Sequence, residues 1–161
     1  MTRVEYLLLA LLTLPSALAP LHAQNLKEVI GPDCLIGVAL NQRQSDGLDS
    51  AATAVVRQHF NAAVAENCMK AEGLQPEEGQ FDFRRADNFL RYCEDNGLVP
   101  IGHCLVWHSQ APRWFFKGAD GGPVGRDELI QRIQKHIAAV VGRYRGRVRG
   151  WDVVNEAVED N

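Results

Sequence analysis

The 161-residue chain has no excess of basic charge, no glycine-rich phosphate loop, no CxxC pair, and no low-complexity linker. Each absence removes a class of function. Seventeen Lys and Arg against 20 Asp and Glu give a net charge of -3, so nothing draws the chain toward nucleic acid. Arg143, Arg145, Arg147 and Arg149 do alternate near the end. Spaced by Tyr, Gly and Val, they read as decorating the end of a helix and the next turn. The loop Gly118 to Gly125 lacks both the spacing and the Lys of a phosphate cradle. Cys34, Cys68, Cys93 and Cys104 fit neither a zinc ribbon nor a redox pair. Each lies in an apolar context and is expected to be a buried free thiol. One disulfide stays open to an exported protein, with no pair preferred. The spacing of His103 and His108 fits no standard zinc motif, so neither a metal nor another cofactor is expected.

Beyond the N-terminus, no apolar stretch is long enough to span a bilayer, which takes about 20 residues. At the N-terminus Arg3 precedes Tyr6-Leu7-Leu8-Leu9-Ala10-Leu11-Leu12, and Leu21-His22-Ala23 has the small-residue character of a cleavage site. That pattern is a secretory leader over residues 1–23, leaving a mature chain from Gln24 that is secreted or periplasmic and has no membrane partner.

What the sequence does contain is a rhythm of apolar runs and helical patterns. Cys34 to Leu40 is a continuous apolar run, expected to be a strand buried on both faces. Residues 48–58 have helical periodicity, and His59 to Val64 is a weaker second strand. Gly73 to Gly79 reads as a loop. Arg84 to Asn96 reads as a helix with Ala86, Phe89, Leu90 and Cys93 on one face, closed by Gly97. Leu98 to Trp107 is a third strand, with Pro100 placed near its start because proline cannot donate to a ladder. Gly118 to Gly125 is a loop, Asp127 to Val141 an amphipathic helix, and Val148 to Val154 a fourth strand. Strand and helix in alternation imply parallel strands with crossover helices. The fold class is α/β: about four β/α units, the N-terminal half of an eight-stranded β/α (TIM) barrel that takes about 250 residues in all. A doubly wound open sheet is the structural alternative.

In parallel α/β folds, function gathers at the C-terminal ends of the strands. Polar and aromatic residues cluster there four times. Asn41-Gln42-Arg43-Gln44 follows the first strand, and Glu66-Asn67 with Lys70 follows the second. His103, Trp107 and His108 lie late in the third, and Asn155-Glu156 ends the fourth. Polar groups half-buried at such a place must be paired or serve a ligand. Glu156 follows the apolar run Trp151-Asp152-Val153-Val154, which predicts a desolvated carboxyl more easily kept protonated. Such a group suits proton donation in glycoside hydrolysis, which canonically uses two carboxyls. Trp107 offers a flat apolar face to a pyranose ring. Glu66 and Lys70 can accept from and donate to ring hydroxyls. The plainer readings make Asp152 a structural partner, Trp114-Phe115-Phe116 packing rather than a sugar platform, and His108 a holder of a nearby carboxylate. Glu159 and Asp160 read as solvated.

Four motifs then resemble the family-10 glycoside hydrolases, mostly endo-1,4-β-xylanases on a β/α barrel. They are Phe60-Asn61 with Glu66-Asn67-x-Met69-Lys70; Pro76-x-x-Gly79-x-Phe81-x-Phe83-x-x-Ala86-Asp87; Gly102-His103-x-Leu105-Val106-Trp107-His108-Ser109-Gln110; and Trp151 to Glu156. The resemblance implies that Glu156 is the general acid/base and that Asn155 bonds the sugar 2-hydroxyl. It implies that Glu66, Asn67 and Lys70 contact the sugar on the non-reducing side of the cut, and that His103 and Trp107 shape the same pocket. Ile101 and Cys104 depart from the Arg and Thr common among relatives. The implied substrate partner is the polysaccharide xylan, and the implied full-length enzyme is a monomer. The family's nucleophile is a Glu ending the seventh strand, whereas this chain ends just after its fourth. Residues 24–161 are therefore expected to be a partial catalytic domain, inactive alone. The rival readings are a non-catalytic half barrel that binds carbohydrate or another chain, and a related barrel glycosidase acting on another β-glycan.

Overall fold

The computed structural model describes residues 25–158. The predicted leader, Glu159 and Asp160 lie outside the described residues. Four strands form one parallel sheet in sequence order: β1 (Gly37–Leu40), β2 (Ala62–Ala65), β3 (Val99–Trp107) and β4 (Gly150–Asn155). The helices are α1 (Leu26–Ile30), α2 (Gln42–Ser45), α3 (Ser50–His59), α4 (Ala71–Leu74), α5 (Arg84–Asp95) and α6 (Arg126–Arg143), with a 3-10 turn at Arg113–Phe115. Each strand pairs with the next one in the chain, as four successive β/α units of a barrel require. No helix among the described residues is long and apolar enough to cross a membrane.

The core lies between the sheet and the inner faces of α5 and α6. Ala86, Phe89, Leu90 and Cys93 of α5 are all fully buried, as their helical spacing requires. The Asp82 carboxylate accepts the Arg84 N–H at the entry to α5, and Gly97, at φ 65°, closes its exit. α6 carries Asp127 and Glu128 in its first turn, where acidic groups suit the helix dipole. Its end is held by Arg143 on Asp87 (2.6 Å), and Arg147 beyond it bonds Glu94 (2.8 Å), so these two arginines are structural ties. Pro100 is the second residue of β3, opposite Ala63.

Three expectations need correction. The first apolar run is not buried on both faces. Among the described residues β1 has one partner, so Gly37 and Ala39 are exposed and only Leu40 is buried, while Cys34 and Leu35 precede the strand in solvent. Asn41-Gln42-Arg43-Gln44 is a helix start and not a site cluster. The Asn41 side chain accepts the Gln44 N–H, and the Gln44 side chain accepts the Asn41 N–H, both at 3.0 Å. The predicted loop Gly73–Gly79 begins with the last two residues of α4. All four thiols are free, but only Cys93 and Cys104 are buried as expected; Cys68 is half-buried and Cys34 exposed. Burial pushes the Cys68 thiol up to about 11 and the Cys93 thiol up to about 12, so both stay protonated at neutral pH.

Gly102 shows how tightly β3 and β4 are joined. It sits directly opposite Trp151, whose indole covers it. A Cβ at Gly102 would stand 2.5 Å from Cδ2 and Cζ3 of that ring. The indole cannot retreat easily, because it packs on the core beside Tyr144. Gly102→Ala is therefore expected to cost about 1–3 kcal/mol of stability through overpacking. Urea unfolding monitored by tryptophan fluorescence checks this; an unchanged midpoint would show that Trp151 has room to move.

Candidate active site

The C-terminal ends of β2, β3 and β4 bring most of the sequence-predicted residues together. Glu156 follows β4 directly, in the left-handed backbone region at φ 50°. That conformation is uncommon for a residue with a side chain, and its occurrence next to function is a recurring pattern. The Trp107 indole N–H, at the end of β3, donates to Glu156 Oε2 at 2.7 Å. Nε2 of His108, one residue on, lies 3.8 Å from the same oxygen, so His108 flanks this carboxylate without a direct hydrogen bond. The Glu156 side chain is 57% exposed. Among the described residues β4 pairs only with β3, and Val153 and Val154 lie half in solvent, with Asn155 part-buried.

Lys70 is the second anchor. It is 7% exposed, an unusual burial for a lysine. Its ammonium donates to Asn67 Oδ1 (2.9 Å) and Gln110 Oε1 (2.5 Å) and lies 4.6 Å from the centre of the Trp107 ring. Two neutral acceptors and an aromatic face thus hold a cation over the ring of Trp107. The same contacts orient the indole whose N–H reaches Glu156. Glu66 is exposed at the tip of β2, its backbone N–H bonded to Leu40 O.

His103 and Asp152 face each other across β3 and β4, with Nδ1 to Oδ2 at 2.9 Å. Asp152 is thereby a structural partner to His103, whose ring stands 6.5 Å from that of Trp107. Burial pushes the Cys104 thiol up, with Lys70 opposing and Asp152 and Glu156 adding to the shift. Trp114, Phe115 and Phe116 form an edge-to-face ladder with Phe115 fully buried, which is packing.

One participant carried no assigned role in the sequence reading. Gln110 accepts from Lys70 through its side chain, and its carbonyl accepts the Glu72 N–H at 3.1 Å, tying the loop after β3 to α4. Its polarity amid an aromatic motif was the available signal. Among the described residues no group of three His, Cys, Asp or Glu side chains could hold a metal. A hollow of about 590 Å³ between α3 and α5, including Asp46, Arg57 and Asn88, opens on the helix layer, with none of the strand-end residues in its lining.

This geometry has close parallels. The family model described as glycosyl hydrolase family 10 matches residues 25–161. The chain is 43% identical over 161 residues to endo-1,4-beta-xylanase A of Xylanibacter ruminicola, covering all of this chain and 44% of that protein. It is 44% identical over 137 residues to an endo-1,4-beta-xylanase of Geobacillus stearothermophilus, covering 84% of this chain and 40% of that one. A family-10 structure from Paenibacillus barcinonensis superposes with a TM-score of 0.80 at 37% identity, over 86% of this chain and 40% of the other. A psychrophilic family-10 endo-beta-1,4-xylanase superposes at 0.79 with 39% identity, over 86% and 42%. The chain thus spans less than half the length of the relatives it matches, and those structures place its four β/α units within a TIM barrel. By sequence and by fold, this chain belongs to glycosyl hydrolase family 10.

Proposed function

We propose that the chain contributes the glycone-binding wall and the acid/base carboxyl of a secreted or periplasmic endo-1,4-β-xylanase that retains anomeric configuration. The observation that carries this reading is the carboxyl of Glu156 at the tip of β4, oriented by the Trp107 indole within reach of the Lys70 cluster. With Oε2 held by Trp107, Oε1 is the atom free to meet a glycosidic oxygen. The protonated carboxyl gives its proton to that oxygen as the C–O bond breaks. A second carboxylate attacks the anomeric carbon and forms the glycosyl ester. Glu156, now ionised, then takes a proton from water as that water releases the sugar.

Asn155 suits the 2-hydroxyl because a neutral amide can bond it without adding charge beside Glu156. Lys70, Asn67 and Glu66 offer a donor, a donor–acceptor and an acceptor to the hydroxyls of the preceding sugars, while Trp107 and His103 shape the apolar side. Because the Glu156 side chain is solvent-exposed, the water exclusion that strengthens proton transfer falls to the bound sugar and to the strand that would pair with β4. The attacking carboxylate, by resemblance, belongs to a later strand, so the 161-residue chain alone is expected to leave xylan uncut. The apolar leader with its small-residue cleavage site supports export.

The reading is tested by joining residues 24–161 to the remaining β/α units of a family-10 relative and following xylan cleavage by proton NMR. The first-formed reducing end should be the β anomer. The α anomer as first product would sink the retaining mechanism, and no cleavage by a folded hybrid would sink the xylanase reading.

A further inference from the structure

The inner face of α6 buries Arg132, His136 and Val140 at four-residue spacing. Two of the three are polar, and neither touches the site described above. His136 is completely buried, its ring stacked on Phe81 (6.2 Å) and met edge-on by Phe115 (5.6 Å). Its Nδ1 lies 2.9 Å from Gln75 Oε1. Gln75 is buried as well and bonds in three directions. Its side chain meets α6, its N–H closes α4 on Ala71 O, and its carbonyl accepts the Trp114 indole N–H at 2.9 Å. Arg132 holds the same neighbourhood, donating to the carbonyls of Trp114 and Lys117 and pairing with Glu78 and Glu128.

Gln75 is the C-cap of α4, and the N-cap at the other end of that helix is Lys70. A helix of four residues is far too short to hold itself in place, so the groups bonded to its ends fix its position. The Lys70 side chain does not cap the helix; it is spent on Asn67 and Gln110. At the other end Gln75 is clamped by α6 and by the loop after β3, the loop that also supplies Gln110. One turn of helix, about 6 Å long, therefore rigidly joins a buried pair in the core to the ammonium in the cleft.

We propose that His136 and Gln75 are a positioning pair that sets the place of Lys70 in the sugar site, acting through α4. An imidazole suits this task. Burial keeps it neutral, with its pKa lowered to about 4, so one ring nitrogen bonds Gln75 throughout the neutral range. Arg132 and Lys135 are the charged residues within one turn of it on its own helix, and Glu78 follows α4. Arg132 and Glu78 pair with each other at 3.2 Å, and no carboxylate bonds the ring among the described residues. The consequence for sugar binding rests on the functional reading given above; the mechanical link does not.

The test is amide hydrogen exchange by NMR on the full 161-residue chain, wild type against His136→Phe, which keeps an aromatic ring and removes the bond. The amides of Leu74 and Gln75, bonded to Lys70 O and Ala71 O, should exchange about ten-fold faster, and the Trp107 indole N–H resonance should shift. Helix α5 should keep its protection, and His136→Gln, which retains a donor, should restore the wild-type pattern. Exchange that rises equally in α4 and α5, or in neither, overturns the proposal. Gln75→Leu removes the same bond from the other side should His136→Phe fail to fold; failure of both overturns the proposal by making the pair plain core. Titration with xylotriose forms the second arm, with weaker binding expected in both variants. Wild-type protein that binds no xylotriose would count against the functional reading alone, since exchange decides the positioning role without sugar.

Discussion

Glu156→Ala in the completed barrel is expected to lower hydrolysis of xylan by about 10²- to 10⁴-fold, the usual worth of a positioned general acid/base. The loss should depend on the leaving group. An aryl xyloside whose phenolate leaves without protonation needs no acid in the first step, so its glycosyl ester should still form. The second step then stalls, because Glu156 is also the base that activates water. Azide needs no deprotonation and should restore turnover, giving the β-xylosyl azide. The geometry makes the prediction specific to this residue. Glu156 carries the carboxylate that the Trp107 indole orients, while Asp152 is spent on His103. If the Ala variant cleaved xylan at the wild-type rate, or azide gave no glycosyl azide, the acid/base role would have to move elsewhere.

Stability should fall steeply as pH drops from about 6.5 to about 4, and His136 should account for much of the slope. In the unfolded chain its imidazole titrates near 6.5; in the fold burial lowers the pKa to about 4. Between those values the unfolded chain binds the proton and the folded chain does not. The stabilisation is therefore complete above about 6.5, drains away as pH falls toward 4, and changes no further below it. The gap corresponds to about 3 kcal/mol. The physical cause is plain: with Nδ1 on Gln75, Nε2 is a buried atom without a partner, so an added proton and its charge would meet only aromatic rings and packed side chains. Asp82, held down to about 2 by its bonds to Arg84, contributes its pH dependence below this window. Urea midpoints at pH 7, 5.5 and 4.5 measure the slope, which His136→Phe should flatten. An equal slope in the variant would exonerate the imidazole.

The β/α order, the four strands and the α5 and α6 helices were legible in the sequence, as were the three strand-end clusters that meet in the candidate site. The reason is that they are local. Helical spacing marks Ala86, Phe89 and Leu90, Gly97 marks a helix end, and Pro100 can sit only where its missing donor costs little. What was not legible depends on distance or on edges. Gln75 and His136 are 61 positions apart, and nothing near either residue announces the other. β1 and β4 have the apolar composition of covered strands, yet each has a single neighbour here, so their outer residues and the Glu156 carboxyl lie in solvent. The Asn41 to Gln44 segment was misread for a different reason. Its spacing carries a helix-start signature, but its place after a strand suggested a ligand.

The strict neighbour order of the sheet also bears on how the molecule is assembled. Paired positions Gly37 and Ala62, Ala62 and Val99, and Ile101 and Gly150 are separated by 25, 37 and 49 residues. Each strand after β1 thus finds its docking edge already made as it leaves the ribosome, and the entropy of closing each successive loop grows only slowly with its length. The longest of these three closures delivers β4. Glu156 is then laid onto a wall whose tryptophan and lysine are already in place.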